Sequence, residues 1–246
     1  MRRIILLIIL LITAYFFTFD YINNFNKKDS PVVEAVKINE NNPLILEKIT
    51  YDVSLGSFYL GTSVFRSLSK VNLSGKEANL MTFQTSLMNF TDSEVIYSDP
   101  DSNLPLRVER VILSWPNKEK IIEDYDQKNF TLTIKKIKGK SEETKIIQKE
   151  NVINNTVLLP FYVRHLPIFN ENGNLDVEFP TQRFKVMLAG KEEVVVPAGK
   201  FLAYRFESQP ANFEIWISAD ECRIPIKIKK TDGLSYTLAM KEYTVL

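Results

Sequence analysis

A single cysteine, Cys222, and a single histidine, His165, occur in 246 residues. One cysteine excludes an internal disulfide, so a fold of this sequence rests on packing. One histidine, with no Asp, Glu or Cys at ligand-like spacing around it, gives no metal-binding pattern. The same scarcity leaves no nucleophile–base pair in view, because Cys222 could draw only on His165. Glycine is sparse as well, eight residues, and none opens a phosphate-cradling loop or a nucleophile elbow. Net charge is also missing. The 31 basic and 30 acidic side chains nearly cancel, and setting aside the first 25 residues, which hold Arg2, Arg3 and Asp20, makes the two signs equal. A neutral domain has no general electrostatic pull on nucleic acid, which removes that class of partner. The expectation is a protein that is not an enzyme, with no catalytic residue, no metal and no cofactor.

The N-terminus is different in kind. Arg2-Arg3 precede a run from Ile4 to Phe19 without a charge. A basic start followed by an apolar run is an export signal or a signal anchor. Cleaved signals favour small residues at the cut. Here the run ends in Tyr15-Phe16-Phe17-Thr18-Phe19, and Ile12 stands where a small residue belongs, which favours an uncleaved anchor. From Ile4 to Ile22 the segment has the length of a short membrane span, with aromatic residues at the interface end. The positive-inside rule then places the arginines in the cytoplasm and the remainder outside. The expected address is a bacterial inner membrane, single-pass, with the C-terminal domain in the periplasm; the alternative is secretion to the periplasm after cleavage. No cysteine stands here to carry a lipid. The expected organisation is a membrane helix over residues 1–22, a polar tether over 23–43 and an extracytoplasmic β-domain over 44–246.

Within that domain, period-two alternation dominates. Ile49, Tyr51 and Val53 alternate with Thr50, Asp52 and Ser54, and Phe130, Leu132 and Ile134 alternate with Thr131, Thr133 and Lys135. Gly61 falls inside a strand pattern, where glycine marks a bulge or a close approach. Pro197-Ala198-Gly199 and Asp232-Gly233 read as hairpin turns, and 139–143 as a charged, exposed stretch. Separate strands are expected at 183–188 and 193–196. About a dozen short strands at regular spacing indicate an all-β fold with minor α content: a strongly curved antiparallel sheet or half-barrel.

One stretch breaks the alternation. Over residues 155–166, Val157, Leu158, Phe161, Tyr162 and Leu166 fall near helical spacing, and Asn154 or Asn155 can cap the start. Pro160 predicts a kink or a late start, and Pro167 an end. A single apolar helix in a β-protein belongs against the buried face, so this one is expected on the concave side. Arg164 and His165 then lie at its end, where a partly protonated imidazole suits the helix dipole. Paired carboxylates at Glu192-Glu193 and at Asp124 and Asp126 are better explained as solvated strand and turn positions than as a glycosidase pair.

The segments VVVPAGKFLAYRF (194–206) and IWISADECRIPIKI (215–228), with LEKITYDVSLGSFYLGT (46–62) and the aromatic run ending in Arg164, carry a resemblance. The sequence resembles a bacterial envelope family catalogued as domain of unknown function 3108, whose fold is similar to the half-barrels of envelope lipoprotein carriers. That resemblance implies an exported or membrane-attached protein with a curved sheet around an apolar hollow. Three functional expectations follow. The first is non-enzymatic binding of a lipid or other amphipathic ligand, with Phe161, Tyr162, Arg164 and His165 lining or gating the hollow and Arg164 orienting a polar head. The second is an interaction module for envelope assembly, with a filled core and strand edges that recruit an envelope partner. The third, a hydrolase, requires a cleft that brings His165 to a serine and a carboxylate.

Overall fold

Alternation along the chain becomes a sheet. A computed structural model describes residues 45–167, 169, 173–233 and 235–246. The expected membrane helix and tether lie outside the described residues, among which no helix is long and apolar enough to cross a membrane.

The first strands are β1 (Glu47–Leu55), β2 (Phe58–Leu73), β3 (Lys76–Leu87), β4 (Phe90–Ser98), β5 (Pro105–Ser114), β6 (Asn117–Asp126), β7 (Thr131–Lys138) and β8 (Ser141–Gln148). The chain then turns through α1 (Leu159–Val163). It continues in β9 (Asn174–Glu178), β10 (Arg183–Val196), β11 (Gly199–Gln209), β12 (Phe213–Ser218), β13 (Pro225–Lys230) and β14 (Thr237–Val245). These fourteen strands form one antiparallel sheet in the order β8 to β1, then β14 to β9. Two meanders thus meet where β1 pairs with β14. The sheet is open, with β8 and β9 as its two edges.

The chain must travel from one edge to the other, and it does so across the buried face. Asn154 donates to the Glu178 carbonyl at 2.7 Å, and Ile153 forms a parallel bridge with Glu178. The Gln127 side chain holds the same crossing, accepting from the Ile153 amide and donating to the Ile153 and Pro105 carbonyls, each at 2.9 Å. A buried crossing needs its own backbone hydrogen bonds, and a turn of helix supplies them.

That helix proves the sheet is curved. Phe161 stacks on Phe65 of β2, with ring centroids 3.6 Å apart. Leu159 and Val163 pack in one apolar cluster with Val177, Phe184, Phe206 and Ile215 of β9 to β12. In a flat sheet β2 and β11 would lie about 25 Å apart at roughly 4.8 Å per strand. One short helix touches both only if the sheet wraps around it, so the expected placement on the concave face holds.

Several expectations need correction. The helix is Leu159–Val163, shorter than the 155–166 that apolar spacing suggested. Pro160 has no amide to donate and sits in the first turn, so the regular helix starts late. Asn155 still caps the approach: its Oδ1 accepts from the amides of Val157 at 2.9 Å and Leu158 at 3.2 Å. The strands expected at 183–188 and 193–196 are one strand, β10, because the register slips at Gly190 and pairing with β11 continues. The charged stretch 139–143 is exposed as expected, and β8 begins within it at Ser141. At Gly61 the expectation of close approach holds, since a Cβ there would lie 2.1 Å from the Ser86 carbonyl oxygen.

Candidate functional site

The residues singled out around the helix do different work from one another. Phe161 is buried under the Phe65 ring. Tyr162 is half-buried against the β9 to β12 cluster. Arg164 is buried and committed: its Nη1 donates to Glu47 Oε1 at 2.6 Å and its Nη2 to the Cys222 carbonyl at 2.9 Å. Arg223 in turn donates to the Arg164 carbonyl at 3.2 Å and lies over the Phe169 ring. Arg164 therefore ties the helix to the start of β1 and to the β12–β13 turn. His165 is half-buried just past the helix. Burial, then Arg164 and Arg223, push its pKa down to about 4. The imidazole is neutral near neutral pH, not the partly protonated group expected at a helix end.

Composition gave no hint of a second constellation, which sits on the same concave face. Side chains two apart on a strand share a face. Phe65 pairs across with Phe83, Phe83 with Glu94, Glu94 with Arg110, and Arg110 with Ile121. Phe65, stacked under the helix, identifies this as the inner face. Asp92, Glu94, Arg110 and Glu123 therefore project inward from β4, β5 and β6. Arg110 Nε donates to Asp92 Oδ1 at 2.9 Å, a second guanidinium nitrogen contacts Asp92 Oδ2, and Glu94 Oε1 lies 3.5 Å from Nε. Tyr125 donates to Glu123 Oε2 at 2.6 Å. Tyr236, from the segment between β13 and β14, feels the charges of Arg110, Glu94 and Asp92.

Electrostatics at this cluster are perturbed. Burial, with Asp92 and Glu123 adding repulsion, raises the Glu94 carboxyl to about 7 against the pull of Arg110. Burial raises Glu123 as well. Yet the face is not sealed. The Arg110 side chain keeps 32% of its surface accessible, and Phe83, Thr85 and Glu123 on the same face are half-buried. Around them Phe65, Ile96, Val108 and Leu132 are fully buried. The arrangement is a partly accessible polar cluster among buried apolar side chains, with a second polar pair, Lys136 and Glu119 at 2.9 Å, on the same face.

Pairing gives the other candidates structural roles. Glu192 accepts from Trp216 Nε1 at 2.6 Å and Glu193 pairs with Lys200. Asp124 pairs with Arg107, while Asp126 accepts from the Lys128 and Asn129 amides. Cys222 is exposed in a turn. No cluster of His, Cys, Asp and Glu suited to a metal occurs among the described residues.

Comparison with known proteins fits this architecture. The model of a family described as a protein of unknown function, DUF3108, matches residues 50–241. The chain belongs to the DUF3108 family. No curated relative matches the sequence. Among solved structures, a β-barrel-like protein of domain of unknown function DUF1849 from Brucella abortus is similar over 82% of this chain and 98% of its own, with a TM-score of 0.52 and 11% identity. At that identity the likeness concerns the fold alone. A Bacteroides fragilis protein described as exported, with a YmcC-like fold, covers 85% of this chain and 99% of its own at a TM-score of 0.29 and 10% identity. A Parabacteroides distasonis protein described as a lipoprotein covers 81% and 95% at 0.26 and 9%. Likeness at those two scores says nothing about this family member.

Proposed function

We propose that this domain binds, without catalysis, a lipid or other amphipathic molecule against the concave face of its sheet. The observation that carries the reading is the Arg110–Asp92–Glu94–Glu123 cluster, reached by solvent through Arg110 and set beside the buried side chains of Phe65, Ile96, Val108 and Leu132. Acyl surface placed against Phe83 and its neighbours leaves water at about 25 cal/mol per Å². Three carboxyls surround one guanidinium, so a head group offering hydroxyl or amine donors suits the cluster better than a second anion. Phe161 and Tyr162 shape the floor. Arg164, occupied by Glu47, holds that floor in place, and His165 flanks it. The N-terminal pattern supports an address at the outer face of a bacterial inner membrane, with the segment from Ile4 to Ile22 as the anchor.

Titration with an amphiphile carrying a fluorescent acyl chain tests the proposal. Saturable enhancement is expected, weakened in Arg110→Ala and in Asp92→Asn. A linear, non-saturating response in the folded wild type contradicts it.

A second reading, an assembly module, is favoured by one observation: β8 is an edge strand exposed along nearly its whole length, with Ile146 pointing to solvent. An envelope partner would add a strand there. A proline placed in β8 would then abolish partner recovery while leaving amphiphile titration unchanged.

A further inference from the structure

The tips of four successive hairpins lie along one margin of the sheet. Within each hairpin Leu55 pairs with Phe58, Leu87 with Phe90, Ser114 with Asn117 and Lys138 with Ser141. Between hairpins Gly61 pairs with Leu87, Phe90 with Ser114 and Glu119 with Lys138, so the tips are neighbours. On them Phe58 is 74% exposed, Tyr59 61%, Met88 82% and Trp115 84%. Such side chains gain nothing for the fold by standing in water, and grouped exposure of this kind marks an interaction surface. Met88 adds a second oddity. Its φ is +29°, where glycine or asparagine would sit at less cost. Folding therefore gives no reason for a methionine at that turn.

Charge decides what the margin meets. The tip residues 55–59, 87–90, 113–118 and 138–141 contain Lys118, Lys138 and Lys140, all exposed, and no acidic residue. Aromatic residues beside lysines at the end of a β-structure match a membrane–water interface with anionic head groups. The chain outside the described residues allows this contact. Residues 23–44 reach about 70 Å when extended, at roughly 3.3 Å per residue. The β1 strand is about 30 Å long by the same measure. A domain tethered through the start of β1 can therefore present its far margin to the bilayer from which the apolar run starts.

We infer that the margin formed by Phe58, Tyr59, Met88 and Trp115, with Lys118, Lys138 and Lys140, is a membrane-docking surface that seats the domain on an anionic lipid bilayer. This docking stands apart from ligand binding on the concave face.

Fluorescence of Trp115 tests it. The full chain is reconstituted in vesicles of phosphatidylcholine and phosphatidylglycerol with brominated acyl chains. Trp216 is buried beneath Glu192 and Lys227, and the difference between wild type and Trp115→Phe isolates the Trp115 signal. A blue shift and quenching by brominated lipid are expected. Both are lost when Phe58, Tyr59 and Met88 are replaced by serine, and both weaken in high salt. Water-like emission, quenched by iodide and untouched by brominated lipid, overturns the inference. Protection from both quenchers also overturns it, because the margin is then covered by the N-terminal run or by a second copy.

Discussion

Arg164 shows how far a residue's type can mislead about its role. An arginine at the end of an aromatic run is a plausible ligand anchor, but its partner, Glu47, lies 117 positions away and leaves no local sequence signal. Removing one member of a buried pair strands the other charge, so Arg164→Ala is expected to cost about 3–5 kcal/mol by denaturant unfolding. Replacing both Glu47 and Arg164 by apolar residues recovers much of that loss. Gly61 was legible, because glycine inside a strand pattern carries its own signal. Gly61→Ala is expected to cost about 1–3 kcal/mol in the same assay. Two titrating groups set opposing pH slopes. The folded Glu94 carboxyl, at about 7 against 4.5 in an unfolded chain, contributes stability that is full below 4.5 and is lost as pH rises through 7. His165, at about 4 against 6.5, contributes stability present above 6.5 and lost as pH falls through 4. Melting temperature measured across that range should lose the first slope in Glu94→Gln and the second in His165→Gln.

At the scale of elements, strands were readable because their period of two survives single substitutions. The β10 strand reads as two because Gly190, beside the extra residue Ala189 where the register slips, carries the same signal as a turn. The α1 helix was readable in kind and place, and overlong in extent. Apolar side chains continue through Leu158 and Leu166 on single hydrogen-bonded turns, Leu159 donating to the Asn155 carbonyl at 3.1 Å and Leu166 to the Val163 carbonyl at 3.1 Å, which flank the regular helix without extending it. The Asn155 cap and the Phe161 stack make the helix a fixed plug. Asn155→Ala is expected to cost about 1 kcal/mol, and Phe161→Ala about 3–5 kcal/mol, in thermal or chemical unfolding. If the crossing were a loose strap, both changes would fall within a few tenths of a kcal/mol.

For the whole molecule, curvature was inferred from turn spacing and follows in the structure from one helix touching strands that a flat sheet would keep far apart. The polar cluster was not legible. Asp92, Glu94, Arg110 and Glu123 look like the solvated half of ordinary alternating strands, and only the register shows that they face inward together. The same register turns scattered surface aromatics into one margin. An amphiphile held at that cluster would leave the protein with a bound mass. Native mass spectrometry of the full chain, released gently from its membrane mimic, reads this most directly. The account predicts a discrete amphiphile adduct in wild type, depleted in Arg110→Ala and retained in Trp115→Phe. A bare polypeptide mass in wild type, under conditions that preserve the adduct of a known lipid-binding control, would contradict it.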